Sequence, residues 1–382
     1  MTHAFQRSSE WPGSCGDILP GFELANLMRS AASAGPDRLA MTDSTGESVS
    51  FAALAARVDA MAGHLTDLGL APGETIMISG AACVSTTIAV LAGLDAGLDV
   101  ALAPLHPPVA ALAAFAARTG ASAILSHSSL GEYAPMEDMF EAAARTTCVR
   151  ILCSIGPGLF DGAVDISGPY RGASHEGDGR ASRIATFAPG GAIVWHEQRT
   201  LALAAIDLAH QAHIGLGEPI LSMLAPVSFA GLVAGPFLAA ITDSQLHLLG
   251  PFRSNDFVAA IARLAPAHVI APGALAGPLA EAGVLRRDVL ASLLLLDRTG
   301  EARGALAPIG VSEGVAIVDL HAFGEQALIA ECRGADSRPL PPARTPHMIE
   351  IGGRSILAAR RRAGPGPVQF EGEAVSAVQE RP

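Results

Sequence analysis

The chain contains no lysine. Its 25 basic residues are therefore all arginine, which excludes any chemistry that needs an ammonium or a Schiff base from this chain's own lysine. Charge of either sign is scarce, at 16% of residues against about a quarter in an average soluble protein. The balance, 25 − 37 = −12, argues against nucleic acid or anionic membrane as main partners, because both are bound through basic surface. Aromatic residues are only 4%, too few for the interfacial belts of a membrane protein. The five cysteines (Cys15, Cys83, Cys148, Cys153 and Cys332) are odd in number and scattered, so they are not a disulfide framework. Cys148 and Cys153 lie five apart, with no second pair or nearby histidine to complete a zinc site. They read as small buried hydrophobes in a reducing cytoplasm. The first fifteen residues, with Arg7, Glu10, Trp11 and Pro12, lack the apolar core of a signal peptide.

What is present is apolar mass. Half of the 382 residues are hydrophobic, enough for a large core and about two or three compact units. Two uncharged stretches, Thr75–Leu94 and Pro219–Thr242, are long enough to span a bilayer. Hydroxyls and glycines break the first and Pro226 and Pro236 the second, and neither has basic flanks. Both read as buried strand-turn-helix segments of an α/β core.

The pattern along the chain agrees. Leu39–Thr42 reads as a strand. Phe51, Leu54, Val58, Met61, Leu65 and Leu68 then recur at helical spacing behind a candidate N-cap, Ser50. Strands are predicted at Thr75–Ser79, Asp99–Ala103 and Ser122–Ser126, with helices at Val84–Ala96 and Val109–Arg118 between them. Pro157–Ser182 is rich in Gly, Asp, Ser and Arg and reads as a surface connection. Beyond it, strands are predicted at Arg183–Phe187, Ile220–Leu224, Gln245–Leu249, Ala267–Ile270, Ser292–Leu296 and Val315–Val318. Helices are predicted at Glu197–Ala212, Phe229–Ile241, Asp256–Leu264 and Pro272–Ala282. Short strand-like pieces follow at Met348–Ile351, Ser355–Ala358 and Val368–Phe370. Alternation of this kind implies mostly parallel sheets covered by helices. The expected division is a first α/β subdomain over 1–180, a second over 181–334, and a partial β-barrel over 335–382.

Several segments, in order, resemble the large N-terminal domain of the adenylate-forming enzymes, the acyl-CoA synthetase and AMP-binding superfamily. They are Pro36-Asp37-Arg38-Leu39-Ala40, the helix Phe51–Leu68, the turn Leu68-Gly69-Leu70-Ala71-Pro72-Gly73-Glu74, and the segment Leu91–Pro107. Pro226-Val227-Ser228-Phe229-Ala230-Gly231-Leu232 resembles the family's acyl-pocket segment, which marks Ser228, Phe229 and Gly231. The likeness covers roughly residues 20 to 376. It implies a fold of two layered α/β subdomains with a partial barrel, and ATP-dependent carboxylate activation with ATP, AMP or CoA as ligands.

Three departures bear on that chemistry. The family's T-S-G-T-T-G-x-P-K-G loop cradles phosphate with backbone N–H groups, hydroxyls and a lysine. Here the matching segment is Thr186-Phe187-Ala188-Pro189-Gly190-Gly191-Ala192-Ile193-Val194-Trp195-His196, shorter and stripped of its hydroxyl run and lysine. The resemblance marks Thr186, Gly190 and Gly191 for the cofactor and His196 for catalysis. Read without the family, the segment is a strand-to-helix turn. The family's Y-G-x-T-E becomes Phe323-Gly324-Glu325-Gln326-Ala327. It marks Phe323 and Gly324 for the cofactor and Glu325 as a displaced catalytic carboxylate; read alone, Glu325 is a solvated residue near a helix start. Gly366-Pro367-Val368-Gln369-Phe370-Glu371-Gly372 resembles a strand late in the large domain, and the small domain with its catalytic lysine is expected to be missing.

Other candidates are weaker. His210 and His213 are three apart on a predicted helix with no third metal ligand. Ser154, His175 and Asp161, Asp165 or Asp178 lack a nucleophile elbow. Arg338, Arg344, Arg354 and Arg360–Arg362 make a basic tail that could meet a phosphate or an acidic partner. The leading expectation is a degenerate relative without autonomous ligase activity, a pseudoenzyme. It would be a cytoplasmic acyl or acyl-CoA-like ligand-binding subunit that joins an enzyme partner or itself as a homo-oligomer. The rival is an enzyme acting on an acyl group or adenylate, with a separately encoded small domain or repurposed chemistry at His196.

Overall fold

The computed structural model describes residues 19–158, 160–172, 182–298, 314–334, 346–362 and 369–376. The N-terminal segment with Cys15, and His175, Asp178, Arg338, Arg344, Gly366, Pro367 and Val368, lie outside the described residues.

The first part of the chain runs α1 (Leu24–Ala34), β1 (Leu39–Asp43), β2 (Ser48–Ser50), α2 (Phe51–Asp67), β3 (Thr75–Ser79), α3 (Val84–Asp95), β4 (Asp99–Ala103), α4 (Val109–Thr119), β5 (Ala121–Ser126), α5 (Pro135–Ala144), β6 (Ile151–Ser154) and β7 (Val164–Asp165). Next come β8 (Arg183–Phe187), β9 (Ile193–Glu197), α6 (Gln198–Gln211), β10 (Ile220–Ser222), α7 (Phe229–Leu232), α8 (Leu238–Ile241), β11 (Leu246–Leu248), α9 (Ser254–Leu264), β12 (Ala267–Pro272), α10 (Ala276–Glu281), β13 (Leu290–Arg298), β14 (Ala316–Phe323) and β15 (Ala327–Cys332). The last strands are β16 (His347–Ile351), β17 (Arg354–Arg361) and β18 (Phe370–Glu371).

Among the described residues the strands form three sheets. The first has the order β7-β6-β5-β3-β4-β8-β9 and is parallel except for the β8–β9 hairpin. The second has the order β15-β14-β13-β12-β10-β11-β1-β2, parallel except at its two ends. The third, β16-β17-β18, is antiparallel. Strands from the start of the chain therefore pair with strands beyond residue 240, and β8 and β9 complete the first sheet.

The layers follow from the apolar pattern. One core lies between the two large sheets, a second packs α9 and α10 on the outer face of the second sheet, and a third packs α4 and α5 on the outer face of the first. Helix α3 touches β1 of one sheet and β3 and β4 of the other, and all twelve of its residues are buried. Its hydroxyls, which break the first membrane-length stretch, are satisfied internally. Thr87 Oγ1 donates to the Cys83 carbonyl at 3.2 Å, and Thr86 Oγ1 bonds His127 Nε2 at 2.9 Å. The Asp43 carboxylate, at the end of β1, accepts the Val84 N–H at 2.9 Å and so caps α3 from the other sheet. In α2, Ser50 accepts the Ala53 N–H as an N-cap, while Phe51, Leu54, Val58, Met61 and Leu65 are buried.

The second membrane-length stretch is β10 and the helical segment that starts at Phe229. Pro236 lacks an N–H, and the helix opens into a π-type turn at Val233–Phe237 before continuing as α8. No helix among the described residues is long and apolar enough to cross a membrane. Cys83 and Cys153 are buried as expected of small hydrophobes, whereas Cys148 is half-buried and Cys332 exposed.

Candidate ligand-binding cleft

Parallel strands send their loops out at their carboxyl ends, where α/β sheets bind ligands. Here the carboxyl ends of both large sheets meet at one cleft of about 460 Å³. Pro104 and Leu105 enter it from the end of β4, and Phe187 and Ala188 from the end of β8. The second sheet contributes Met223, Leu224, Ala225, Val227 and Ser228 after β10, Arg298 at the end of β13, and Glu325 after β14. The walls are mostly apolar. Arg298 and Glu325 are the charged residues in them.

Glu325 is not a solvated residue near a helix start. It sits in the β14–β15 turn with φ +62° and is only 6% exposed. Its Oε2 accepts the Phe229 N–H at 2.5 Å, at the start of α7. Ser228 caps the same helix, its Oγ accepting the Gly231 N–H at 3.1 Å. Gly231 stands so close to the preceding turn that a Cβ there would lie 1.9 Å from the Ala225 carbonyl oxygen. Ser228 and Glu325 thus face the cleft, whereas Phe229 and Gly231 are buried behind its wall.

The segment 186–196 is a β-hairpin rather than a strand-to-helix turn. Its apolar run Ile193–Trp195 pairs with β8, and α6 starts only at Gln198. The turn closes on itself: the Ala188 N–H donates to the Ala192 carbonyl at 2.8 Å and the Gly191 N–H to the Ala188 carbonyl at 3.0 Å. Gly190 and Gly191 both take positive φ, +83° and +85°, which a side chain would resist. The Gly191 carbonyl accepts from the Arg118 guanidinium.

His196 is fully buried at the end of β9. Its Nε2 bonds Thr186 Oγ1 at 2.8 Å and its Nδ1 bonds Ser376 Oγ at 2.6 Å. A neutral imidazole has one donor and one acceptor nitrogen, so one hydroxyl donates to the ring and the other accepts from it. Burial pushes the His196 pKa down to about 3, so the ring is neutral at physiological pH. The Phe229 ring lies 5.0 Å away. His196, Thr186 and Phe229 are therefore together, one layer behind the cleft. Phe323 and Gly324 begin the turn that carries Glu325, but the Phe323 ring packs against Phe370, 4.5 Å away, toward the third sheet.

The remaining candidates separate. His210 lies in α6, while His213 lies past its end with φ +52°. Among the described residues no group of three metal-ligating side chains comes together. Ser154 Oγ bonds Ser128 Oγ at 2.7 Å. Arg360, in β17, pairs with Glu371 of β18. Sequence reasoning missed Arg298 and Ser376. The first had a signal, a charged pair, Asp297-Arg298, that ends the run Leu293–Leu296. The second had none, because it meets His196 across 180 positions.

The family model of the AMP-binding enzymes matches residues 28–173. The solved structures that align over nearly the whole chain are adenylate-forming enzymes. The fold is that of their large domain. One is the O-succinylbenzoate coenzyme A synthetase of Bacillus subtilis in complex with ATP and magnesium, with a TM-score of 0.68 and 17% identity, over 92% of this chain and 89% of that one. A second is ATP-bound MatB from Rhodopseudomonas palustris, with a TM-score of 0.69 and 16% identity, over 92% of this chain and 71% of that one. A third is apo MbtA from Mycobacterium smegmatis, with a TM-score of 0.69 and 17% identity, over 95% of this chain and 69% of that one. No curated protein sequence matches the chain. The AMP-binding match ends before the hairpin, so the sequence likeness lies in the half of the chain without the turn.

Proposed function

We propose that this chain binds an acyl or acyl-CoA-like ligand in the cleft between its sheets and does not by itself carry out ATP-dependent ligation. One observation carries the reading. The β8–β9 turn spends the N–H groups of Ala188 and Gly191 on its own carbonyls, and its residues offer neither hydroxyl nor ammonium. Oriented backbone donors and a cation are what a triphosphate needs. Thr186, in the strand before the turn, is buried against His196. The Oε2 of Glu325 is engaged by the Phe229 amide, whereas a magnesium ligand would keep its oxygens for the ion. These residues do not fit a magnesium-bound triphosphate. The apolar walls suit an acyl chain. The low charged fraction supports self-association of the chain, which sedimentation of the purified protein tests.

The test of the main reading is isotope exchange between pyrophosphate and ATP with a panel of carboxylic acids. We expect none above background; exchange with any acid overturns the reading. A second reading is favoured by the presence of Glu325 in the cleft wall: an enzyme that acts on an acyl group or adenylate, its small domain supplied by another chain or its chemistry repurposed. It expects AMP release from an acyl-adenylate that Glu325→Gln abolishes.

A further inference from the structure

Arg298 ends the inward row of β13. Alternate residues of a strand share a face. Leu294 and Leu296 belong to the core between the large sheets, while Leu293 and Leu295 belong to the outer core. Arg298 continues the inner row at the carboxyl end, where it lines the cleft. Its neighbour Asp297 belongs to the other row and lies 3.9 Å from His321 Nδ1.

A guanidinium is charged at every accessible pH and offers five donors in a planar fork. Among the described residues the Arg298 guanidinium has no ion pair and no hydrogen bond. Glu325 lines the same cleft, but the Phe229 amide takes up its carboxylate. Arg298, exposed at the end of β13, is therefore a cation without an ion pair at the rim of a mostly apolar cleft, in a chain of net charge −12.

We propose that Arg298 is the residue by which the cleft selects its ligand: it pairs bidentately with an oxyanion carried by the acyl-type chain. The inference rests on the reading that the cleft takes an acyl chain. A carboxylate and a phosphoryl group offer the fork the same pair of oxygens, so the oxyanion has two sources. The apolar side chains of the wall hold the rest of the molecule.

Calorimetric titration of the full chain with octanoate, octyl phosphate and octanol tests this. At least one of the two anions binds about tenfold or more tighter than octanol, and the stronger one names the source. Arg298→Gln lowers the anion to the level of octanol and leaves octanol unchanged. Arg298→Lys keeps the charge, loses the fork and recovers only part of the difference. Octanol binding as tightly as both anions overturns the role of Arg298 while the acyl-cleft reading stands, and that comparison needs no variant. Unchanged anion binding by a folded Arg298→Gln does the same. No binding of any of the three compounds overturns both.

Discussion

The Glu325 carboxylate receives the amide of Phe229 at 2.5 Å, joining the β14–β15 turn to the start of α7 across 96 positions. The residue is held with φ +62°, a left-handed conformation that costs a non-glycine residue about 1–2 kcal/mol. Strain of this kind persists only where the surroundings over-determine it.

That pairing sets a rank order of variants. Glu325→Ala keeps the strain and leaves a buried amide without its acceptor, a loss of about 1–3 kcal/mol. Glu325→Gly loses the same acceptor but relaxes the backbone, so it is the milder of the two by about 1 kcal/mol. Urea denaturation of both variants measures the order. A glycine variant less stable than the alanine one contradicts the account.

His347 ties the third sheet to the rest of the molecule. Its Nδ1 meets Asp207 of α6 at 2.9 Å, and its Nε2 lies 3.6 Å from Glu331 of β15. Burial works to lower its pKa, but the hydrogen bond to Asp207 and the nearby Glu331 carboxylate outweigh burial and raise it to about 9. The folded value lies above the unfolded one near 6.5, so the stabilisation is complete below about pH 6.5 and is lost as pH rises through about 9. It amounts to about 3 kcal/mol at most. The stability difference between the wild type and His347→Gln should be flat from pH 5 to 6.5 and shrink from 7 to 9. A difference that does not change with pH rules out the charged form.

His196 works in the opposite direction. Burial lowers its folded pKa to about 3, so it must fold neutral. Its contribution is present above about pH 6.5 and is lost as pH falls, because the unfolded chain takes up the proton first. His127 and His247, whose pKa values burial lowers to about 4, add to the same acid slope. His196→Asn should be less stable than the wild type at pH 7, with an acid slope gentler by up to about 1.4 kcal/mol per pH unit. Denaturation midpoints at pH 7 and pH 5 compare the two slopes, and equal slopes refute the assignment.

Gly231→Ala places a methyl against the Ala225 carbonyl oxygen, which is backbone and cannot rotate away. Overpacking costs about 1–3 kcal/mol where side chains yield, and more is expected here. Thermal unfolding of Gly231→Ala should therefore show a drop in Tm larger than that of Ser228→Ala, which removes only a cap worth about 1 kcal/mol.

Much of the fold was legible because each strand is a short apolar run between turn residues. Thr75–Ser79, Asp99–Ala103 and Arg183–Phe187 are observed with the bounds that their composition predicts. Helix α5 was missed although it carries a proline at its start, acidic residues in its first turn and Met136, Met139 and Ala142 at a spacing of three. The hairpin β8–β9 is not evident from the family resemblance, in which Pro189-Gly190-Gly191 matches an altered phosphate loop. A short turn between two apolar runs is also a hairpin signal. Of the site, the family resemblance marked Ser228 and Glu325, while local pattern alone read Glu325 as a solvated residue. Neither reached the His196–Ser376 bond, which depends on which strands become neighbours.

Strand order also sets a schedule for synthesis. Met41 of β1 pairs with Leu246 of β11, so β1 leaves the ribosome about two hundred residues before its parallel neighbour. At about 5–20 residues per second, that is a wait of roughly 10–40 s with a hydrogen-bonding edge uncovered. Met41 and its neighbours Ala40 and Thr42, all buried in the finished molecule, are exposed during that interval. The parallel neighbour of β1 thus exists only once synthesis has passed residue 246.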